Sequence, residues 1–256
     1  MCGRFVNTTD PQDLAELFGA TRWDADETLA PNWNTAPTND VWAVLERLDR
    51  ETGEITRRLR TVRWGLVPSW AKDPSGGARM INARAETVHE KPAFRKAFAS
   101  RRCLIPADGY YEWVPVPAAD GRKAFKQPYF ITPADGGPLV MAGLYEFWRD
   151  GGRPDDDPLA WLTTATIITT QATDAAGRVH DRMPLAIGRA DIDDWLDPAH
   201  TDPGELRALL HTPAGGDLTV RAVSTAVNSV RNNGAHLLDE VPDPAADAGS
   251  AAGSGA

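Results

Sequence analysis

Short β-rich runs follow one another along most of the chain, and this pattern constrains the fold more than any other feature. The runs are rich in β-branched and aromatic residues and are separated by turn-forming residues. Val41–Leu48 and Glu54–Trp64 flank a turn at Thr52 and Gly53 and predict a β-hairpin. Further strands are predicted at Arg102–Ile105, Tyr110–Val114, Tyr129–Thr132, Leu139–Phe147, Thr163–Thr169, Leu185–Ile187 and Leu218–Val223.

Helical signals are fewer and shorter. Pro11–Phe18 predicts a helix, because Asp10 can cap it, Pro11 suits the first turn and Gly19 can end it. Other helices are predicted over Ala93–Ala99, Asp191–Leu196 and Gly204–Leu210. The strands do not alternate with helices as βαβ units require. The sequence therefore predicts a single α+β domain on a mainly antiparallel sheet or open barrel, with short flanking helices.

The domain is predicted to span residues 1–238, followed by a disordered tail over residues 239–256. The tail is rich in Asp, Pro, Ala, Gly and Ser and contains four acidic residues and no basic one. No apolar run approaches the ~18 residues that a membrane helix needs, and the N-terminus lacks a hydrophobic signal core. Only two cysteines are present, which excludes a disulfide framework and favours a cytoplasmic location. No metal or other cofactor is expected, because the histidines lack ligand spacing.

The charge of the chain is unevenly distributed. The 256 residues carry a net charge of −9, which by itself disfavours nucleic acid as a partner. The segment from Arg57 to Arg102, however, contains twelve basic residues and three acidic ones, which gives it a net charge of +9. Such a block is compatible with a local groove for a polyanion, and equally with solvated strand and helix faces.

Cys2 has an unusual chemical position. Methionine before a small residue is normally removed after synthesis, so Cys2 is expected to become the first residue. Its thiol and free α-amine then form a 1,2-aminothiol, whose amine has a reference pKa near ~8 and is partly neutral at pH 7. The amine can form an imine with an aldehyde, and the thiol can close a five-membered thiazolidine ring. Alternatively, Cys2 is a peptidase-type nucleophile, or its place is a coincidence.

The N-terminal cysteine belongs to the first of five sequence motifs that occur in order along the chain. They are Met1–Phe5 (MCGRF), Trp64–Trp70 (WGLVPSW), Asn82–Thr87 (NARAET), Arg102–Trp113 (RCLIPADGYYEW) and His180–Pro184 (HDRMP), with Asn34–Pro37 and Val227-Asn228 as further positions. In this order the set resembles the SOS response-associated peptidase (SRAP) family of abasic-site processing proteins. The resemblance covers the chain from Cys2 to about Asn233.

The resemblance implies a specific activity. Family members bind single-stranded DNA and join their N-terminal cysteine to the ring-opened aldehyde of an abasic site. The product is a thiazolidine DNA–protein crosslink that protects the lesion during the DNA damage response. A thiol autopeptidase activity that removes the initiator methionine, and an abasic-site lyase activity, are also attributed to the family. The expected partner is thus single-stranded DNA with an abasic site, with no membrane association, and the chain is expected to act as a monomer.

Four residues match the family's catalytic positions. Cys2 matches the crosslinking nucleophile, Asn82 the asparagine that positions it, Glu112 the acid/base carboxylate and His180 the active-site histidine. Imine formation needs proton transfers, for which a carboxylate in a partly apolar setting and an imidazole are suitable.

Five further residues match DNA-binding positions. The arginines Arg4, Arg84 and Arg182 match residues near phosphates, whereas Trp70 is expected to stack on bases and Pro37 to wedge the strand.

Structural explanations remain open for several of these residues. Glu112 is also compatible with an outward, solvated carboxylate, His180 with a turn cap and Asn82 with a turn residue. Arg84 and Arg182 can instead pair with Glu86 and Asp181, and Cys103 is expected to be buried and inert. A cysteine peptidase that acts on other proteins and a non-catalytic nucleic-acid-binding module are the competing functions.

Overall fold

Short strands build two sheets in the computed structural model, which describes residues 2–23, 27–49, 51–118, 123–211 and 216–244. The strands are β1 (Phe5–Asn7), β2 (Arg22–Trp23), β3 (Asn32–Thr35), β4 (Asp40–Leu48), β5 (Ile55–Trp64), β6 (Asn82–Arg84), β7 (Arg102–Ala107), β8 (Gly109–Val116), β9 (Phe125–Pro133), β10 (Leu139–Arg149), β11 (Trp161–Gln171), β12 (Arg182–Pro184) and β13 (Leu218–Ala222). The helices are α1 (Pro11–Phe18), α2 (Arg95–Ser100), α3 (Asp174–Gly177), α4 (Ile192–Leu196) and α5 (Pro203–Leu209), with single 3₁₀ turns between them.

Five strands of the larger sheet close into a barrel. Antiparallel pairing joins β5 to β4, β4 to β7, β7 to β10 and β10 to β11, and a short parallel pairing of β11 with β5 completes the ring. The second sheet has the order β13-β9-β8-β1-β3. The predicted α+β single domain with mainly antiparallel sheet and short helices is confirmed, and its barrel is closed.

Alternate residues of the barrel strands enter two different core clusters. On β4, Trp42 and Val44 pack with the helices, whereas Val41, Ala43 and Leu45 pack against residues of the second sheet. This alternation follows from the two-residue period of a strand. The second cluster joins the two sheets, and it contains Cys2.

Most of the predicted elements are present. The β4–β5 hairpin forms as expected, and α1 spans Pro11–Phe18, with Asp10 accepting from the Gln12 N–H and Gly19 left-handed at its end. The predicted strand at Leu185–Ile187 is wrong, because that segment makes one isolated bridge, between Met141 and Ala186. The strand there is β12, three residues earlier. After it the chain leaves β11 for β10, where the Leu185 carbonyl accepts from the Ala142 N–H and the Ile187 N–H donates to the Val140 carbonyl.

Residues 239–244 form the described part of the predicted tail. Glu240 bridges to Val223, and the Tyr129 hydroxyl donates to Asp243 Oδ1 at 2.6 Å. Residues 245–256 lie outside the described residues, so the disordered tail stays a prediction. In the part of the chain that the structure describes, no helix has the length and apolar character to cross a membrane.

Candidate active site

Cys2 lies where the two sheets meet, just before β1. Its side chain is fully buried and packs in the cluster that contains Phe5 and Tyr110. The backbone N–H of Arg4 donates to the sulfur. Burial raises the pKa of the Cys2 thiol well above its usual range, and the nearby Glu112 charge raises it further. The thiol is therefore protonated at neutral pH.

Asn82 holds the backbone of Cys2. It begins β6, a three-residue strand that pairs in parallel with β11 and places Asn82 opposite Ile167. Asn82 Nδ2 donates to the Cys2 carbonyl oxygen at 2.7 Å. Its Oδ1 is buried, and none of the described residues donates a hydrogen bond to it. The amide therefore fixes the N-terminal residue and keeps an acceptor at the same place.

Glu112 is buried beside Cys2, with 4% of its surface exposed. It lies two residues after Tyr110 on β8 and therefore on the same face of that strand. Its charge is close enough to raise the pKa of the Tyr110 phenol as well, although burial and Cys2 contribute more to that shift. The interpretation of Glu112 as an outward, solvated carboxylate is therefore wrong.

His180 follows α3 and is partly exposed. Its Nδ1 accepts from the backbone N–H of Arg182 at 2.9 Å and lies 2.7 Å from Asp181 Oδ1. The His180 ring thus caps a local turn through the Arg182 N–H, as the alternative interpretation of this residue predicts. Its neighbours Val179 and Met183 pack against the core cluster that contains Cys2, which places the His180 segment at the edge of the site.

Pro37 and Trp70 lie on two loops at the same end of the barrel. Pro37 is half-buried in a turn whose next residue, Thr38, has a φ of 73° and donates its N–H to the Trp64 carbonyl. Trp70 follows β5 and is 66% exposed, while Trp148 Nε1 holds its loop through the Ala71 carbonyl at 2.7 Å. An exposed tryptophan on a fixed loop is suited to stacking on a nucleobase.

The three predicted phosphate-binding arginines differ in their surroundings. Arg84 is exposed at the end of β6. Arg182 makes a bidentate ion pair with Glu86, at 2.5 and 3.0 Å, and donates to the Thr169 carbonyl. Arg182 therefore has a structural ion pair, as the alternative expects, but its partner is Glu86 and not Asp181. The pair also lowers the pKa of the Glu86 carboxyl.

Arg4 contributes to the packing of the second sheet. Its Nη1 donates to Asn34 Oδ1 at 2.7 Å and to the Val227 carbonyl at 3.1 Å, and its guanidinium lies 5.7 Å from the ring centre of Trp113. Because Arg4 follows Cys2 by two residues, these contacts also anchor the N-terminal segment.

Four of the twelve basic residues in the +9 block are engaged by groups within the protein. Ion pairs join Arg57 to Glu46 and Asp193, Arg60 to Glu27, and Arg101 to Glu146. Arg102 is buried, and its guanidinium donates to five backbone carbonyls. Lys72, Arg79 and Arg84 remain exposed near the site loops. The sequence therefore overestimated the positive charge available to a polyanion.

Residues 1–230 match the family model described as SOS response associated peptidase (SRAP). The chain belongs to the SRAP family. It is 37% identical over 239 residues to abasic site processing protein YoqW of Bacillus subtilis, covering 93% of this chain and 99% of that protein. It is 29% identical to abasic site processing protein HMCES of Xenopus tropicalis, covering 98% of this chain and 83% of that protein.

Solved structures share the fold of this SRAP chain. A Bacteroides thetaiotaomicron protein superposes with a TM-score of 0.73 at 22% identity, covering 94% of this chain and all of that one. A phage-related protein of Bordetella bronchiseptica superposes with a TM-score of 0.60 at 28% identity, with the same coverage. At 22% identity, the similarity to the Bacteroides thetaiotaomicron protein supports the fold alone.

Sequence reasoning missed the role of Asn34 in this SRAP fold. Its Nδ2 donates to the carbonyls of Val227, Ser229 and Asn232, at 3.3, 2.9 and 2.9 Å. The sequence marked Asn34 only as a family position, since its partners lie almost 200 residues away. Cys103, by contrast, is buried with a raised thiol pKa, as expected. The described residues contain no group of three or more potential metal ligands.

Proposed function

We propose that this SRAP protein processes abasic sites in single-stranded DNA, by forming a covalent thiazolidine crosslink through Cys2 after removal of Met1. The observation that carries the proposal is the position of Cys2. The residue lies at the N-terminus, with its carbonyl fixed by Asn82 and its thiol beside a buried carboxylate, Glu112. The relatives named abasic site processing proteins support DNA with this lesion as the substrate.

The first step uses the amine of Cys2. Removal of Met1 converts the Cys2 amide nitrogen into a primary amine, which is partly neutral at pH 7. The nitrogen lone pair attacks the aldehyde carbon of the ring-opened sugar, and a proton passes from nitrogen to oxygen to give a carbinolamine. Loss of that hydroxyl as water then leaves an imine. Glu112 donates the proton to the leaving hydroxyl and accepts the proton that nitrogen releases.

The second step uses the thiol. Sulfur bonds to the imine carbon, the electron pair of the C=N bond moves to nitrogen, and nitrogen takes the proton from sulfur. The sum of both steps is aldehyde plus aminothiol giving thiazolidine and one water. The proton that nitrogen takes is the one that sulfur gives up, so the step needs no outside acid or base for its overall balance. Ring closure is intramolecular and benefits from a large effective concentration.

Asn82 and His180 support these proton transfers by position. The free Oδ1 of Asn82 can accept from the new amine or from a hydroxyl of the opened sugar, while Nδ2 keeps Cys2 in place. His180 stands at the edge of the same cluster and has its Nδ1 held by the Arg182 N–H. Its contacts with the Arg182 N–H and with Asp181 hold the ring in place, and the imidazole can exchange a proton with a sugar oxygen.

The DNA strand is proposed to pass the two loops that carry Pro37 and Trp70. Trp70 stacks on a base beside the lesion, and Arg84 pairs with a phosphate. Arg182 and Arg4 contribute mainly through the backbone and side-chain contacts that hold the site. A missing base removes the unstacking cost that a base-flipping enzyme must overcome.

A thiol peptidase is the second candidate, because Cys2, Asn82 and His180 resemble a nucleophile with its supporting groups. The buried and protonated state of the Cys2 thiol disfavours attack on a second protein, since the thiolate is the nucleophile in such enzymes. A peptidase that acts on other proteins therefore fits this site less well than the crosslinking function does. Lyase activity at the abasic site is compatible with the imine, which is the intermediate shared by both outcomes.

The test is a crosslinking assay with a single-stranded oligonucleotide that carries one abasic site. We expect a protein–DNA band that resists heat and denaturant. Cys2→Ser should lose this stable band and keep non-covalent binding, whereas Cys103→Ser, at the other buried thiol, should behave like the unchanged protein. Absence of the band from protein with a processed N-terminus would refute the proposal. Turnover of casein that depends on Cys2 would favour the peptidase instead.

A further inference from the structure

The loop formed by residues 228–233, which follows the single turn Thr225–Asn228, packs on the face of β8 that carries Tyr111 and Trp113, opposite the face that carries Glu112. Trp113, the neighbour of Glu112, donates from Nε1 to Asn228 Oδ1 at 2.6 Å. Arg4, two residues after Cys2, donates to the Val227 carbonyl. The loop is therefore connected to the site through the neighbours of two of the proposed catalytic residues.

The loop is held in one conformation by its amide groups. Asn34 Nδ2 donates to the carbonyls of Ser229 and Asn232 in the loop and of Val227 just before it. Asn232 Nδ2 donates to the Ala226 carbonyl at 2.8 Å, and Asn233 Oδ1 accepts from the Trp33 N–H at 2.8 Å. A loop that is already ordered loses little conformational entropy when it binds a ligand.

Two side chains of this rigid loop point outward. Val230 is 59% exposed, and Arg231 is exposed and takes part in no ion pair with any other described residue. No acidic residue occurs between Ser224 and Leu238, in a chain whose net charge is −9. A cation without a counter-ion beside an exposed apolar side chain matches the phosphate and the sugar or base of a nucleic acid strand.

We infer that the 228–233 loop is a second contact for the DNA strand that passes the abasic site. Arg231 pairs with a backbone phosphate, and Val230 packs against the adjoining sugar or base. This inference rests on the proposed function, and it places part of the DNA on the second sheet, on the side of the site formed by Arg4 and Trp113. The strand then contacts the Pro37 and Trp70 loops of the barrel and, on the second sheet, this loop.

The test measures the affinity for an undamaged single-stranded oligonucleotide by fluorescence anisotropy at several salt concentrations. Loss of one phosphate contact should weaken binding several-fold and reduce the slope of log K against log salt by about 0.7. Arg231→Ala should show both effects. Arg207→Ala removes the same charge from an exposed position on α5, which packs on the other core cluster, and should show neither effect. Val230→Glu should weaken binding by placing a carboxylate near the phosphate.

The crosslinking assay separates failure of this inference from failure of the proposed function. Arg231→Ala should therefore need a higher DNA concentration for half-maximal crosslinking, whereas the control Arg207→Ala should crosslink as the wild-type protein does. If the unchanged protein crosslinks while Arg231→Ala keeps its full affinity and salt slope, the loop does not contact DNA. If the wild-type protein forms no crosslink, the proposed function is wrong. The anisotropy measurement still decides whether the loop contacts DNA, because it does not depend on crosslinking.

Discussion

Asn82→Ala tests whether the fixed position of Cys2 matters for chemistry more than for stability. The substitution removes one hydrogen bond, from Asn82 Nδ2 to the Cys2 carbonyl, and leaves that carbonyl without its donor. An unsatisfied group of this kind costs about 1–3 kcal/mol of unfolding free energy. Domains are typically stable by about 5–15 kcal/mol, so the variant should fold.

The chemical effect should be much larger than the effect on stability. Once Asn82 no longer holds Cys2, its amine and thiol lose their fixed position relative to the sugar. A misplacement of about 1 Å costs about 100-fold in rate. We therefore expect the crosslinking rate of Asn82→Ala, measured at saturating DNA, to fall about 10- to 100-fold, with DNA affinity changed less than threefold.

Asn82→Asp is a second variant, which keeps the size of the side chain and replaces the donor by a carboxylate oxygen. It should be at least as slow as Asn82→Ala, since a carboxylate would face the Cys2 carbonyl oxygen. Denaturant unfolding of both variants measures the stability change. A crosslinking rate equal to that of the unchanged protein in either variant would refute a positioning role for Asn82.

Two further predictions follow from buried charged groups. Glu112→Gln keeps the size of the side chain but cannot exchange a proton, so crosslinking should slow by about 100-fold or more while DNA affinity stays within about twofold; an equal loss in both would indicate a structural carboxylate. Arg102→Lys replaces a guanidinium that donates to five carbonyls at the ends of α2 and α4 by an ammonium with three donors. At least two carbonyls then lose their donor, at about 1–3 kcal/mol each, so the unfolding free energy should fall by about 2–6 kcal/mol; an unchanged melting temperature would contradict this account.

Local sequence signals predicted the elements that local contacts stabilise. The β4–β5 hairpin and α1 have their turn or caps within a few residues, and both form as predicted. The three-residue strands β1 and β6 were missed, because each is too short to show a period and forms through pairing with distant strands.

The site divides in the same way. Motifs marked Cys2, Asn82 and Glu112, and the structure brings these residues together. The internal pairing of Arg57, Arg60 and Arg101 depends on contacts with acidic residues elsewhere in the chain, such as Arg57–Asp193, which spans 136 residues. Charge counting along the sequence cannot register such pairs, so it overestimated the cations that remain for DNA.

Mass spectrometry of the N-terminal peptide tests the central claim most directly. The protein is incubated with the abasic-site oligonucleotide, digested with nuclease and protease, and its N-terminal peptide is identified. We predict a peptide that begins at Cys2, lacks Met1, and carries the opened sugar with the loss of one water, with both nitrogen and sulfur of Cys2 bonded to the same carbon. A processed but unmodified Cys2, or an adduct on a lysine instead, would contradict the account.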